Sequence, residues 1–521
     1  MSRKTVHQLK PSAGSDKIAI KAQNGLQTYR AFLWNNKQNR QLFLASAIIS
    51  LLLFYLLTLA YPIPDMFSDG HSYIYAAALE EEVFYRPYGY SKFLRILYSF
   101  SHSVNFVIWV QHLLFILAGI FLLTSIDYLI GFKNKYIKWA GWILITINPL
   151  GLFVDLTVAS DSIFTSITIL WMTTLLWILV RPRWYWILLA ILFLYWAFNI
   201  RYNALYYPFL FAIAILLTPR LKVLYKSGAI LLALMVILGA YKSTRDKVEL
   251  STGARVFAGF EGWQMANNTL YYFKKVDFKV DPAEDPDIRT LDTLVRILLV
   301  DSFASHDTDG STIGSGYIWS KKSPLKKFIP YYRQKYKLKS YYTAWYQVSE
   351  LYGDYARMII AADPGAYFKY YILNNARHYF LPDLESLHDF EATKEIYPQT
   401  TRSWYKIRQE KPILFGHDYK KIFMAPYTLF NAALLIISLV IPLLFLFTLR
   451  KKLLKKEGVE AAAPLILWLL YYFANAAFSI IASVVVMRYQ APFVLLAICF
   501  TLIALDKYLT HHQSLKRNYG K

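Results

Sequence analysis

The stretch Tyr61-Pro-Ile-Pro-Asp65-Met-Phe-Ser-Asp69-Gly-His71-Ser-Tyr73 sets two carboxylates and an imidazole directly after a charge-free apolar run. Ionisable side chains at a lipid boundary are costly unless they are paired or used. A carboxylate placed there can take a proton from an attacking hydroxyl. Three further features fall between or at the ends of apolar runs: Asp161 in Val158-Ala-Ser-Asp161-Ser, Arg201 followed by Tyr202, and Arg488 in Arg488-Tyr-Gln-Ala-Pro492. Arginine grips two phosphate oxygens with one planar fork. Acids and arginines on one side of a membrane suit a lipid-phosphate substrate, with its tails among helices and its headgroup outside.

Each residue also has a plainer reading. Asp69 in Ser-Asp-Gly fits an Asx-turn, while Asp65 after Pro64 and Asp161 before an apolar run fit helix caps. Arg201 fits a salt bridge with an outer acid as well as it fits phosphate, and Arg488 fits snorkelling from a helix end. His71 reads as a hydrogen-bonding loop residue, and His112 with Gln111 as a bridge between helices. Glu80-Glu-Glu82 reads as the solvated face of a short helix. Asp307-Thr-Asp309-Gly310 has the form of a metal-binding DxD, but Asp and Gly are ordinary turn residues, so a divalent metal is not supported and no cofactor is expected.

These residues must be positioned by membrane helices. With 56% hydrophobic residues and 42 Tyr, 35 Phe and 14 Trp, the 521-residue chain belongs to the membrane class. Ten runs are nearly free of charge: Leu42–Tyr61, Val104–Ile126, Trp139–Val154, Ser162–Val180, Trp184–Ile200, Tyr202–Thr218, Ser227–Tyr241, Ala425–Leu449, Ala461–Met487 and Tyr489–Leu505. Lys and Arg gather in alternate connections: the N-terminal tail, Lys133/Lys135/Lys138, Arg181/Arg183, Arg220/Lys222/Lys226, Arg450 to Lys456, and Lys516-Arg517. The positive-inside rule puts these, and both termini, in the cytoplasm. The expected fold is all-α and polytopic, with about ten transmembrane helices and a soluble outer-face domain after the seventh.

The expected organisation is a basic tail (1–41), a seven-helix core (42–241) with its first outer loop at 62–103, an outer domain (242–424) with a helix over Pro364–Phe380, three more spans (425–505) and a tail (506–521). Residues 1–41 are too long and hydrophilic for the n-region of a signal peptide, so the first span is expected to stay as an anchor. The net charge of +23 is read as orientation and contact with membrane lipids, with no nucleic-acid motif beside it. Cys499 is the only cysteine, which excludes an internal disulfide and a thiolate metal cluster.

The first-loop acid (Phe67-Ser-Asp69-Gly-His71-Ser-Tyr73), Arg86-Pro-Tyr88, Val158-Ala-Ser-Asp161-Ser, Arg201-Tyr-Asn-Ala-Leu and Arg488-Tyr-Gln-Ala-Pro together resemble the GT-C superfamily, nearest its protein O-mannosyltransferase and aminoarabinose-transferase branch. That resemblance implies sugar transfer from a polyprenyl-phosphate donor to a protein, lipid or glycan acceptor on the periplasmic face of a bacterial inner membrane. Asp69 would be the catalytic base, and Asp65, His71, Tyr73, Asp161, Arg201, Tyr202 and Arg488 would bind substrate. Two rivals are an O-antigen-type polymerase or ligase, whose catalytic residues would sit in the large outer loop, and a lipid-linked-glycan transporter or flippase, which would carry charges near the midplane.

Overall fold

A computed structural model describes residues 28–66, 68–303, 317–390, 397–407, 418–450 and 456–519. The DxD stretch at 307–309 and most of the N-terminal tail lie outside them. Among the described residues all regular structure is helical, and β pairing is limited to two isolated bridges, Asp65 with Thr157 and Asp383 with Val486. Eight helices are long and apolar enough to cross a membrane, and two shorter apolar helices, Trp184–Ile200 and Tyr202–Leu216, join them. All ten apolar runs are therefore helical.

Local chemistry explains their interruptions. The third run breaks into Lys135–Thr146 and Pro149–Asp155, because Pro149 has no N–H to continue the ladder and Asn148 accepts from Gly151 N at 3.1 Å as an N-cap. Between the fifth and sixth runs Arg201 is extended (φ −149°) and a 3-10 turn, Tyr202–Tyr206, follows before Tyr207–Leu216. The seventh helix, Val223–Thr252, continues well past its apolar run into charged residues.

Burial grades the spans. Ser160–Val180 is 94% buried over its apolar window, against 17% for Lys37–Ala60 and for Val223–Thr252. The former is thus the bundle's central helix and the latter two are peripheral, with Ile48, Leu52, Leu56, Leu231 and Leu238 on the outer surface. The central helix carries several Ser and Thr, which settle their hydroxyls on their own turns, as Thr165 does on Asp161 O and Thr173 on Ile169 O. Trp171 of this helix stacks on Tyr207 at 4.3 Å. Cys499 is buried inside the last span.

The long segment after the seventh run has its own hydrophobic core, centred on Trp263, Trp345, Tyr352 and Tyr355 and built by Phe260–Leu270, Pro286–Phe303, Pro324–Lys335 and Tyr341–Ala362. Two of these helices touch backbone to backbone: a Cβ on Gly262 would lie 1.7 Å from Ser349 O. The helix expected over Pro364–Phe380 is present, with a π segment at Tyr367–Ile372.

The first loop forms two helices, Ser68–Leu79 and Gly89–Tyr98. Ser-Asp-Gly is thus the start of a helix and not an Asx-turn. Gly70 lets that helix close on the turn before the central helix, since a Cβ there would sit 2.5 Å from Val158 O. Glu80 to Glu82 lie in the turn between the two helices, Glu80 at φ +57° and paired with Arg95, Glu82 paired with Lys247.

Candidate functional site

Four separate parts of the chain meet beside the first-loop helix. Asp69, in its first turn, is buried and accepts hydrogen bonds from Arg86 on one oxygen and from Arg488 Nη1 on the other at 2.8 Å. Asp161, in the first turn of the central helix, pairs with Arg201 and lies 3.6 Å from the same Arg488 Nη1. Glu385 accepts from Arg488 Nε at 3.0 Å. Three guanidiniums and three carboxylates therefore form one network, buried except toward Arg86 and Glu385 and neutral in sum when all are ionised.

Aromatic and hydroxyl groups hold it in place. Tyr73 donates to Ser160 Oγ at 2.8 Å, and Arg86 Nε donates to Ser72 Oγ at 3.2 Å. The Arg201 guanidinium lies 4.7 Å from the ring centre of Tyr489, whose hydroxyl accepts from Arg488 Nη2 at 3.1 Å. Burial by itself would push the Asp69 carboxyl up, but the charges of Arg86, Arg488 and Arg201 outweigh it and hold the group at about 2. Asp69 is a carboxylate at any physiological pH.

Arg86 also borders a cavity of about 490 Å³. Its polar lining includes Glu82, Arg86, Lys92 and Lys247, and its apolar lining comes from Phe93, Ile163, Ile167, Leu170, Trp196 and Ile200. From Ile163 to Leu170 the central helix advances roughly 10 Å, so the space runs well down between helices from the end that carries Asp161. Glu82 and Lys247 pair with each other at 2.5 Å, whereas Lys92 is exposed and has no acidic partner among the described residues.

The structure thus brings Asp69, Tyr73, Asp161, Arg201 and Arg488 together. Tyr202 lines the cavity and packs on Phe257 at 4.3 Å. His71 faces away from the network: its Nδ1 is 3.0 Å from Thr401 Oγ1, and burial pushes the imidazole down to about 4. Asp65 is also elsewhere. Its carboxylate is fully buried against Lys420 Nζ at 2.6 Å, and its backbone bonds to Leu156 O and Val158 N. It is therefore not a helix cap. Nor is Asp161, since Ala159 is the N-cap and Asp161 stands inside the first turn. The salt bridge anticipated for Arg201 is present, and Arg488 is buried rather than snorkelling.

Sequence reasoning gave no site role to Arg86, Glu385, Tyr489 or Lys420. Arg86 had a signal, because positive charge in an outer loop asks for a reason. Glu385 and Lys420 had none: they stand more than 300 residues from Asp69 and Asp65. The helix-bridging role of His112 and Gln111 is plain, with His112 Nδ1 2.9 Å from Asp155 Oδ2 and Gln111 Nε2 donating to Asp155 O and Thr157 O. Among the described residues no three His, Cys, Asp or Glu side chains are grouped to hold a metal. Comparison with protein families, with curated proteins and with solved structures finds no match for this chain.

Proposed function

We propose that the chain is a GT-C-type membrane glycosyltransferase that moves a sugar from a polyprenyl-phosphate donor to an acceptor hydroxyl. The observation that carries this reading is the junction at Arg86, which joins the buried Asp69 network to a cavity whose charged lining is mainly cationic, with Arg86, Lys92 and Lys247 against Glu82, and whose remaining lining between helices is largely apolar. A lipid-linked phosphate has that same division between head and tail.

In this reading the acceptor oxygen bonds to the sugar's anomeric carbon and its proton passes to Asp69. The bond from that carbon to the phosphate oxygen breaks, and its electron pair stays on the phosphate. A carboxylate held at about 2 is a weak base, and the donor corrects this: phosphate oxygens drawing on Arg86, Arg201 and Arg488 withdraw the charge that depresses Asp69. Protonation of Asp69 then leaves the neutral network with one surplus positive charge as the leaving phosphate gains a negative one. Asp161 orients Arg201, and Tyr489 orients both Arg201 and Arg488.

In this reading the loop charges orient the chain with cytoplasmic termini and with the network and the second core on the outer side, and the family resemblance makes that the periplasmic side of a bacterial inner membrane. Two of the network's three acids, Asp69 and Asp161, stand at helix starts in the membrane core and its first outer loop, and Glu385 alone comes from the large outer segment, a balance that favours this reading over a polymerase or ligase.

The test uses purified protein in nanodiscs with a polyprenyl-phosphate sugar, measuring the release of polyprenyl phosphate. The parent should turn over. Arg201→Lys should lose donor use although the charge remains, because an ammonium cannot copy the fork. Arg201→Ala should lose more, about 10²-fold, equivalent to the loss of one charge-assisted contact. If Arg201→Ala binds and transfers like the parent, Arg201 serves only as the partner of Asp161.

A further inference from the structure

Arg488 divides its donors in a telling way. Nη1 points inward to Asp69 at 2.8 Å and to Asp161 at 3.6 Å. The opposite edge, Nε with Nη2, is the side-on fork that fits two oxygens of a phosphate or carboxylate. That edge holds the Glu385 carboxylate on Nε at 3.0 Å and the Tyr489 hydroxyl on Nη2 at 3.1 Å.

Glu385 differs from the other two acids of the network in three ways. Its side chain is 29% exposed, against 10% for Asp69 and 6% for Asp161, so it is the carboxylate a ligand can reach. It comes from a strap tied down on both sides: Asp383 O accepts from Met487 N at 2.9 Å, and Ser386 O accepts from Lys420 Nζ at 2.6 Å. Between these ties its backbone is left-handed, at φ +50°. A non-glycine residue is strained in such a conformation and persists there only when its surroundings impose it. The strap therefore spends local strain to put an exposed carboxylate on the fork.

We propose that the Nε/Nη2 edge of Arg488 is a phosphate seat and that Glu385 is its built-in occupant, which an incoming phosphate group displaces. This rests on the glycosyltransferase reading for its lipid-linked ligand, but the seat itself is defined by charge and geometry. While no substrate is present, Glu385 compensates the outer edge of a buried guanidinium whose inner edge Asp69 holds. When phosphate arrives it takes over that compensation, and the strap relaxes. Glu385 is thus a positioning residue that sets how hard the seat is to fill.

Binding of polyprenyl monophosphate and, separately, of inorganic phosphate to the full chain in nanodiscs would be measured by microscale thermophoresis. Glu385→Gln keeps the side chain's size without its charge, and Glu385→Gly accepts the left-handed backbone; both should bind polyprenyl monophosphate about fivefold or more tightly than the parent. Arg488→Ala should abolish the gain when combined with either. Tightening for both probes supports a seat that reads phosphate alone, and tightening for the lipid-linked probe only supports a seat that also needs the chain in the cavity. Unchanged or weaker binding in both Glu385 variants, with the parent still binding, overturns the displaceable occupant and leaves the glycosyltransferase reading intact. A parent that binds neither probe overturns both.

Discussion

Asp65 and Asp69 stand four residues apart in one loop, and the fold uses them in opposite ways. Asp65 meets Lys420, with side-chain exposures of 0% and 1%, and that lysine also donates to the Ser386 and Asp389 carbonyls. Asp69 is shared between two arginines, one of which serves two more acids, and the network adjoins a cavity. A pair sealed from solvent fixes geometry and has no slack for a ligand. A shared network can trade partners when a new anion arrives. The difference teaches that burial and charge alone do not single out a candidate site at a membrane boundary; shared partners beside a cavity do.

The largest effect should come from breaking the sealed pair. Lys420→Met takes the lysine charge away from the buried Asp65 carboxylate, and about 3–5 kcal/mol of stability should be lost. Asp65→Leu combined with Lys420→Met should recover most of it, measured by thermal unfolding in detergent. If the single variant were as stable as the parent, the pair would not brace the loop and the contrast with Asp69 would fail.

Next comes the shared acid. Asp69→Asn keeps the shape of the side chain and removes its proton affinity, so transfer should fall about 10²-fold or more while the protein still inserts and elutes as the parent does. Near-parental turnover in a folded Asp69→Asn protein would assign proton transfer to another acid and end the functional half of the comparison.

The smallest effect is in pH. His71, on the same helix as Asp69, is pushed down to about 4 by burial, below its value in an unfolded chain, so the unfolded chain binds its proton first. Its contribution is full above about pH 6.5 and is lost as pH falls toward 4, at no more than about 1.4 kcal/mol per pH unit. Asp69, held at about 2, likewise contributes above its unfolded value and gives this up only as pH falls from about 4 toward 2. Thermal midpoints should therefore decline in two windows, and His71→Asn should flatten only the upper one.

What could be read from the sequence was what short-range pattern encodes. The ten apolar runs are all helical because composition over some 20 residues decides it, and Pro149 and Arg201 fall where the spans break. Grouping Asp69 with Asp161, Arg201 and Arg488 was also legible, since loop charge alone puts them on one face. Partners were not. Arg86 pairs with Asp69 because one turn brings two short helices side by side, whereas Glu385 arrives from a strap and Lys420 from the helix Tyr419–Met424, both packed on the membrane core and the strap also tied to Met487 at the last span. The cap readings of Asp65 and Asp161 failed for the same reason: a long-range ion pair outweighed the local preference for a helix end.

Cys499, the chain's single thiol, is sealed among the helices of the last span. The native protein should thus be silent toward water-borne maleimides without any cysteine being removed. Each cysteine introduced at an exposed loop position would then report the sidedness of its own loop against a blank background. Ser103 and Arg183, both exposed and in connections assigned to opposite faces, are natural first sites. The buried thiol makes the unmodified chain its own control for mapping which surface meets which compartment.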